Sequence, residues 1–176
     1  MVSNRISKSL AFWVAGLLVF ALDRLGKQWA LRTLEPGERM ALLGDVLGLA
    51  HVRVSGAAFG WMDDWESTTR LGALGLLSLA CLIVVVGFYR GLGHGEVGSG
   101  AALGALLAGV FGNFVDRVQY GVGIDFLHFG STTTLRVTDF DVADLGIMLG
   151  AVTLIVELLA SEMAARARER PPRSPR

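Results

Sequence analysis

Residues 112–144, GNFVDRVQYGVGIDFLHFGSTTTLRVTDFDVAD, set five carboxylates (Asp116, Asp125, Asp139, Asp141 and Asp144) between two long apolar runs. An acid beside hydrocarbon costs roughly 2.5–3.5 kcal/mol at a helix centre on insertion scales, so a chain that keeps several there has a use for them. Asp125 and Asp144 fall where a helix would meet the membrane surface, and we read them as converging into a catalytic pair. Two carboxylates held close cannot both ionise easily; one keeps its proton while the other stays charged. Such a pair can take a proton from water and give one to a carbonyl oxygen or a leaving amine, which is peptide hydrolysis without a covalent intermediate. The chain offers no better nucleophile: Cys81 lies within an apolar run, and no serine stands near a histidine in a recognisable arrangement. Asp139, Asp141 and Asp144 could be imagined around a metal. No histidine stands at ligand spacing, however, and hard-cation sites gather more oxygens, so neither a metal nor another cofactor is expected.

Other polar residues near the ends of the apolar runs could support such a pair. Asp23 and Lys27 are four apart, on one helix face, with the acid N-terminal to the base, the better order for an ion pair. They suit either a solvated pair at the end of a first helix, with Lys27 reaching to the interface, or a pair turned inward to support a site. Asn113 and Asp116 share a face at i, i+3, with Arg117 adjacent. Asp141 and Asp144 share the first turn of a last helix that Thr138 or Asp139 can cap. Acids there are favourable with the helix dipole by about 0.3–1 kcal/mol, which is the ordinary explanation for both.

The elements that must position these groups are helices in a bilayer. The chain has 176 residues, 52% hydrophobic and 18% charged, with mean hydropathy +0.52. A formal net charge of +0 suggests no nucleic-acid partner, and a single cysteine excludes a disulfide framework. Four runs suit spans of about 20 residues: 10–22 completed by 23–30, then 71–89, 97–115 and 142–160. The expected helices are about 10–30, 68–90, 97–117 and 141–161, in one membrane-embedded domain over 1–165. The first run lacks a small-x-small cleavage pattern before Asp23-Arg24-Leu25-Gly26-Lys27 and is expected to be retained. Glycines 98, 100, 104, 109 and 112 allow the third helix close backbone approach. Between the first two helices, residues 34–66 are expected to form a small extracytoplasmic β region. It opens with the Pro36-Gly37-Glu38 turn, has short strands at 42–49 and 51–54, and anchors Phe59, Trp61 and Trp65 at the interface. Arg5, Lys8, Arg90, Arg166, Arg168, Arg170 and Arg173 then lie on one side, which the positive-inside rule makes cytoplasmic, with both termini. Residues 166–176 form a basic tail expected to be disordered.

With these residues in place the chain resembles the lipoprotein signal peptidases, signal peptidase II or peptidase family A8, over roughly residues 10–160. The resemblance rests on Asp23-x-x-x-Lys27, on Gly56-Ala57-Ala58-Phe59, on Gly112-Asn113-x-x-Asp116-Arg117-x-x-x-Gly121-x-x-x-Asp125-Phe126, and on Phe140-x-Val142-Ala143-Asp144. It implies an α-helical integral membrane protein with four transmembrane helices, a small extracytoplasmic β-sheet and a short amphipathic helix near the site. Asp125 and Asp144 match the family's catalytic aspartates. Asp23, Lys27, Gly56, Ala57, Ala58, Phe59, Asn113, Asp116, Arg117, Asp141 and Ala143 match positions that bind substrate or support the site. The implied substrate is a prolipoprotein whose cysteine carries diacylglycerol, cut N-terminal to that cysteine by an enzyme of the bacterial inner membrane, with membrane lipids as its other partners and a monomer as its state. A non-catalytic paralogue that binds lipoprotein or lipid is the alternative. Two positions depart from the family pattern: Val54 and Asp141 stand where asparagine is usual. A third acid at 141 would tend to raise the pKa of a nearby dyad.

Overall fold

A computed structural model describes residues 3–44, 46–54, 64–93, 95–130 and 138–169. Eight elements follow in order: α1 (Ser3–Thr33), β1 (Arg39–Leu43), β2 (Leu47–Val54), α2 (Ser67–Gly91), α3 (Val97–Tyr120), β3 (Gly123–Phe129), β4 (Thr138–Phe140) and α4 (Val142–Glu169). Four helices are long and apolar enough to cross a membrane. Leu17, Leu76 and Ile83 are 63%, 70% and 64% exposed. In water such a surface would be an aggregation liability; in lipid it meets its own kind.

Helix α3 is the hub, lying against α1 on one side and α4 on the other. Its glycines make this possible. A Cβ at Gly104 would stand 2.1 Å from the Phe12 carbonyl oxygen of α1, and one at Gly109 would stand 2.2 Å from the Ala143 carbonyl oxygen of α4. Without a hydrophobic drive between helices in lipid, such backbone approach is what holds a bundle together. Helix α2 packs more loosely on α3, through Val85 against Leu103 and Leu106.

The four strands form one antiparallel sheet in the order β1-β2-β3-β4 at one end of the bundle. Leu49 pairs with Leu127, but the next pair is Val52 with Asp125, so β2 carries an extra residue opposite the strand that holds the site. Gly37 turns the chain at a φ of 87° as expected, and Gly44, at 53°, ends β1. This second turn replaces the expected break between 42–49 and 51–54. The strands are 39–43 and 47–54, because the left-handed residue lies at 44 while the stretch through Ala50 stays paired.

Two further expectations change. Helix α1 begins at Ser3 and α4 continues to Glu169, so the outer helices overrun the apolar runs and take in residues 166–169 of the basic tail. An Arg166–Glu162 pair at i, i+4 supports that extension. Thr138 and Asp139 lie in β4, and Asp141 caps α4 instead, its Oδ1 accepting the Asp144 backbone N–H at 2.7 Å. Residues 135–137 and the bend Gly56-Ala57-Ala58-Phe59, with Trp61, lie outside the described residues. No short amphipathic helix occurs among the described residues.

Candidate active site

Two chain turns bring the acids together. Helix α3 ends at Gly121, whose φ of 75° and N–H to the Arg117 carbonyl at 3.1 Å make a left-handed cap. The chain therefore runs directly into β3, and Asp125 is reached four residues later. β3 pairs with β4 in the register Leu127 with Phe140. Continued by two residues, that register sets Asp125 across from Val142, the start of α4. Asp144 is one helical turn on from its cap, Asp141. Carboxylate oxygens of Asp125, Asp141 and Asp144 all lie within 4.8 Å of one another.

Behind this trio lies a buried charge cluster. The Lys27 ammonium reaches Asp23 Oδ2 at 2.8 Å, Asp116 Oδ2 at 2.5 Å and Asp141 Oδ2 at 2.5 Å. Lys27, Asp23, Asp116 and Asp141 are all 1% exposed or less. The i, i+4 pair of α1 is thus turned inward, resolving the two readings of its spacing. Arg24 bonds Asp116, Asp23 Oδ2 at 2.9 Å and the Gly112 carbonyl at 3.2 Å. Asp23 also accepts the Ala143 N–H at 3.1 Å, tying α1 to the first turn of α4. Ala143 is fully buried and must be small, because α3 passes it at Gly109 and Gly112. Asp23, Asp116 and Asp141 are buried around Lys27, while Asp125 and Asp144 lie at the rim and remain partly exposed.

Asn113 donates to Asp144 Oδ1 at 2.8 Å, and the Arg117 guanidinium donates to the Asn113 carbonyl at 2.8 Å. Asp116, one turn from Asn113, points into the cluster rather than toward Asp144. Burial pushes the Asp125 carboxyl up to about 7, helped by the charges of Asp141 and Asp144 and opposed by Lys27. Burial also raises Asp141, with the Lys27 ammonium opposing. Asp125 and Asp141 are thus both held well above the usual carboxylate range. Asp144 lies in the first turn of α4 and accepts the Asn113 side-chain amide.

Asp125, Asp141 and Asp144 could supply three oxygens to a hard cation, which takes six or more. Asp23, Asp116 and Asp141 form a second such trio, but the Lys27 ammonium already forms ion pairs with all three. Asp139, the other acid weighed for a metal, turns away to Arg39 and His128, both at 2.8 Å.

Sequence reasoning missed Arg24. It sits at i+1 from Asp23, outside the i, i+3 and i, i+4 partners, and reaches the cluster only because α3 lies against α1. It also missed Asp141 as a cap. An asparagine would cap equally well, so what this chain changes at 141 is the charge facing Lys27. Val54, the other departure, ends β2 opposite Gly123.

These features define an integral membrane protein with a carboxylate site at one end of a four-helix bundle. Its fold is that of two bacterial membrane enzymes solved by the in meso method. One, at 2.3 Å, has a TM-score of 0.76 and 22% identity over 91% of this chain and 93% of that one. The other, at 1.9 Å, has a TM-score of 0.70 and 24% identity over 83% and 90%. The profile of the signal peptidase (SPase) II family matches residues 15–160. The lipoprotein signal peptidase of Gloeobacter violaceus is 37% identical over 169 residues, 94% of this chain and 91% of its own length. That of Nostoc sp. is 30% identical over 167 residues, 93% and 98%. The chain belongs to the signal peptidase II family, a family of membrane peptidases.

Proposed function

We propose that the chain is an aspartic endopeptidase that removes the signal peptide from diacylglyceryl-modified prolipoproteins, cutting N-terminal to the lipidated cysteine. The observation that carries this reading is the placement of Asp125 and Asp144. Of the five acids gathered around Lys27 and at the start of α4, these two are partly exposed, and they sit within reach of each other.

In this account Asp144 is the base. It takes a proton from a water held between the carboxyls, while protonated Asp125 donates to the scissile carbonyl oxygen. The resulting tetrahedral centre collapses as a proton passes to the leaving amine, and the pair returns with one proton shared. Lys27, Asp23, Asp116 and Arg24 position the pair: they clamp α1, α3 and the cap of α4 together. Asp125 and Asp144 then have one geometry, which is what an in-place proton relay needs. The substrate's acyl chains stay in lipid beside the exposed apolar faces of the helices.

The basic residues support an orientation. Lys8, Arg90 and Arg166 lie at the ends of α1, α2 and α4 away from the sheet. The positive-inside rule makes that end cytoplasmic and puts the site near the outer face.

The test is the mass of the products. Purified protein in mild detergent should release a signal peptide ending at the residue before the lipidated cysteine and leave the unmodified prolipoprotein uncut. Cleavage at another bond, or no requirement for the lipid, contradicts the proposal. A folded protein that binds substrate without cutting it identifies a binding paralogue.

A further inference from the structure

A second acidic feature lies at the other end of the bundle. The last turn of α2, the start of α3 and the inner half of α4 enclose a groove of about 660 Å³, lined by Phe88, Leu92, Leu154 and Leu158 and by two acids, Glu96 and Glu157. Glu157 accepts a hydrogen bond from Ser99, which is 2% exposed, and Glu96 accepts the Gly93 N–H at 3.1 Å. Among the residues whose side chains are described, 8–44, 46–54, 64–93, 95–130 and 138–167, neither carboxylate has a cationic partner. Lys8, at the same end, is committed to the Tyr89 and Leu92 carbonyls at 2.9 and 2.7 Å. An acid at the edge of the hydrocarbon with no cation beside it among the described side chains marks a place where one can arrive from outside.

One face of α4 runs from the carboxylate pair toward the groove. Asp144, Met148, Ala151, Ile155 and Leu158 follow one another at spacings of four, three, four and three, and so share one face of α4. Met148, Ile155 and Leu158 on that face are 55%, 57% and 56% exposed. The track begins at the proposed base and ends in the wall of the groove. Glu157 is thirteen residues from Asp144, about 20 Å along a helix. Asp144 is held to α3 through Asn113, and Glu157, about 140° round α4 from Asp144, is held to α3 through Ser99.

An apolar helical segment with one cationic end fits this arrangement. A signal peptide is such a segment: a positively charged stretch, then 7–15 apolar residues, then the cleavage site. About thirteen helical residues between the scissile bond and the cationic stretch also span about 20 Å. We propose that Glu157, with Glu96, forms a subsite for the basic N-terminal stretch of the signal peptide, whose apolar segment lies along the Asp144-to-Leu158 face of α4. The inference rests on the substrate reading above and adds to it a second recognition point, remote from the chemistry.

The test pairs enzyme and substrate changes in the full-length protein in detergent. Two diacylglyceryl prolipoproteins are compared, one with its basic N-terminal stretch intact and one with those Lys and Arg residues replaced by Gln. The parent should cut the neutral substrate with kcat/KM lower by on the order of fivefold, the scale of one exposed ion pair, mainly through KM. E157Q keeps the shape of the side chain and its bond to Ser99; it should discriminate less between the two substrates than the parent does, the change lying in KM. E157K should prefer a substrate whose N-terminal stretch carries Glu. If the parent and E157Q discriminate equally between the first two substrates, the subsite is overturned while the peptidase reading stands. If the folded parent cuts neither, the substrate reading falls and the subsite with it.

Discussion

The Lys27 ammonium lies 2.5 Å from Asp141 Oδ2, joining the charge cluster of α1 and α3 to the residue that caps α4. The chain thus ties a fully buried cation to the residue that starts the last helix. Removing Lys27 leaves Asp23, Asp116 and Asp141 buried, with Arg24 paired to the first two. Lys27→Met should cost about 3–5 kcal/mol, the scale of a broken buried pair, and abolish cleavage. Thermal unfolding in detergent measures the first effect. Adding Asp141→Asn should recover part of the stability, since one of the stranded charges is then gone; a double variant no more stable than the single one would contradict the pairing.

The charge at 141 should be visible in the pH profile. Asp125 is raised to about 7 by burial first and then by the Asp141 and Asp144 charges. Activity on the alkaline side falls when the pair loses its shared proton. Asp141→Asn removes a negative neighbour, so the pair should lose that proton at lower pH. The alkaline limb of kcat/KM should move down, whereas an unmoved or upward-shifted limb would separate Asp141 from the dyad.

Asp125 should also destabilise the fold where it is ionised. Its folded pKa lies above the ordinary carboxylate value of 3.8, so between about 4 and 7 the folded state holds a proton that the unfolded chain has released. Stability from this group therefore falls as pH rises through that window. Asp125→Asn has no charge to bury, so at pH 8 it should unfold on the order of a few degrees above the parent while losing activity. At pH 4 the difference should vanish.

Close approach of α3 to its neighbours makes a separate prediction. Gly109→Ala would push a methyl against the Ala143 carbonyl, in the first turn of α4 that carries Asp144. It should lower both stability and kcat. Gly98→Ala, also on α3, meets nothing within 4 Å and should behave as the parent does. Unfolding temperature and single-turnover rate together check the contrast.

What could be seen in the sequence follows from which forces are local. Four spans are legible because hydrocarbon demands long apolar helices, whatever their neighbours. Asp125 and Asp144 are legible because carboxylates beside such runs are costly. The inward turn of Asp23 and Lys27 is not, since i, i+4 spacing serves a solvated pair equally well and only the arrival of α3 decides. Arg24 is hidden for the same reason. The break in the β region is displaced because strand limits depend on partners, and Gly44, not the change of pattern after Leu49, holds the left-handed residue. Asp141 is noticed as a departure from the family pattern, but its role needs the distance to Lys27.

The most direct test of the account is the cleavage rate of Asp125→Asn and Asp144→Asn on a diacylglyceryl prolipoprotein, each variant first shown to be folded by its unfolding transition. Loss of at least about a thousandfold in both, with substrate still bound, is the predicted result for two carboxylates that share one proton and act as a unit. Parent-like cleavage by either folded variant would contradict it and remove that residue from the chemistry.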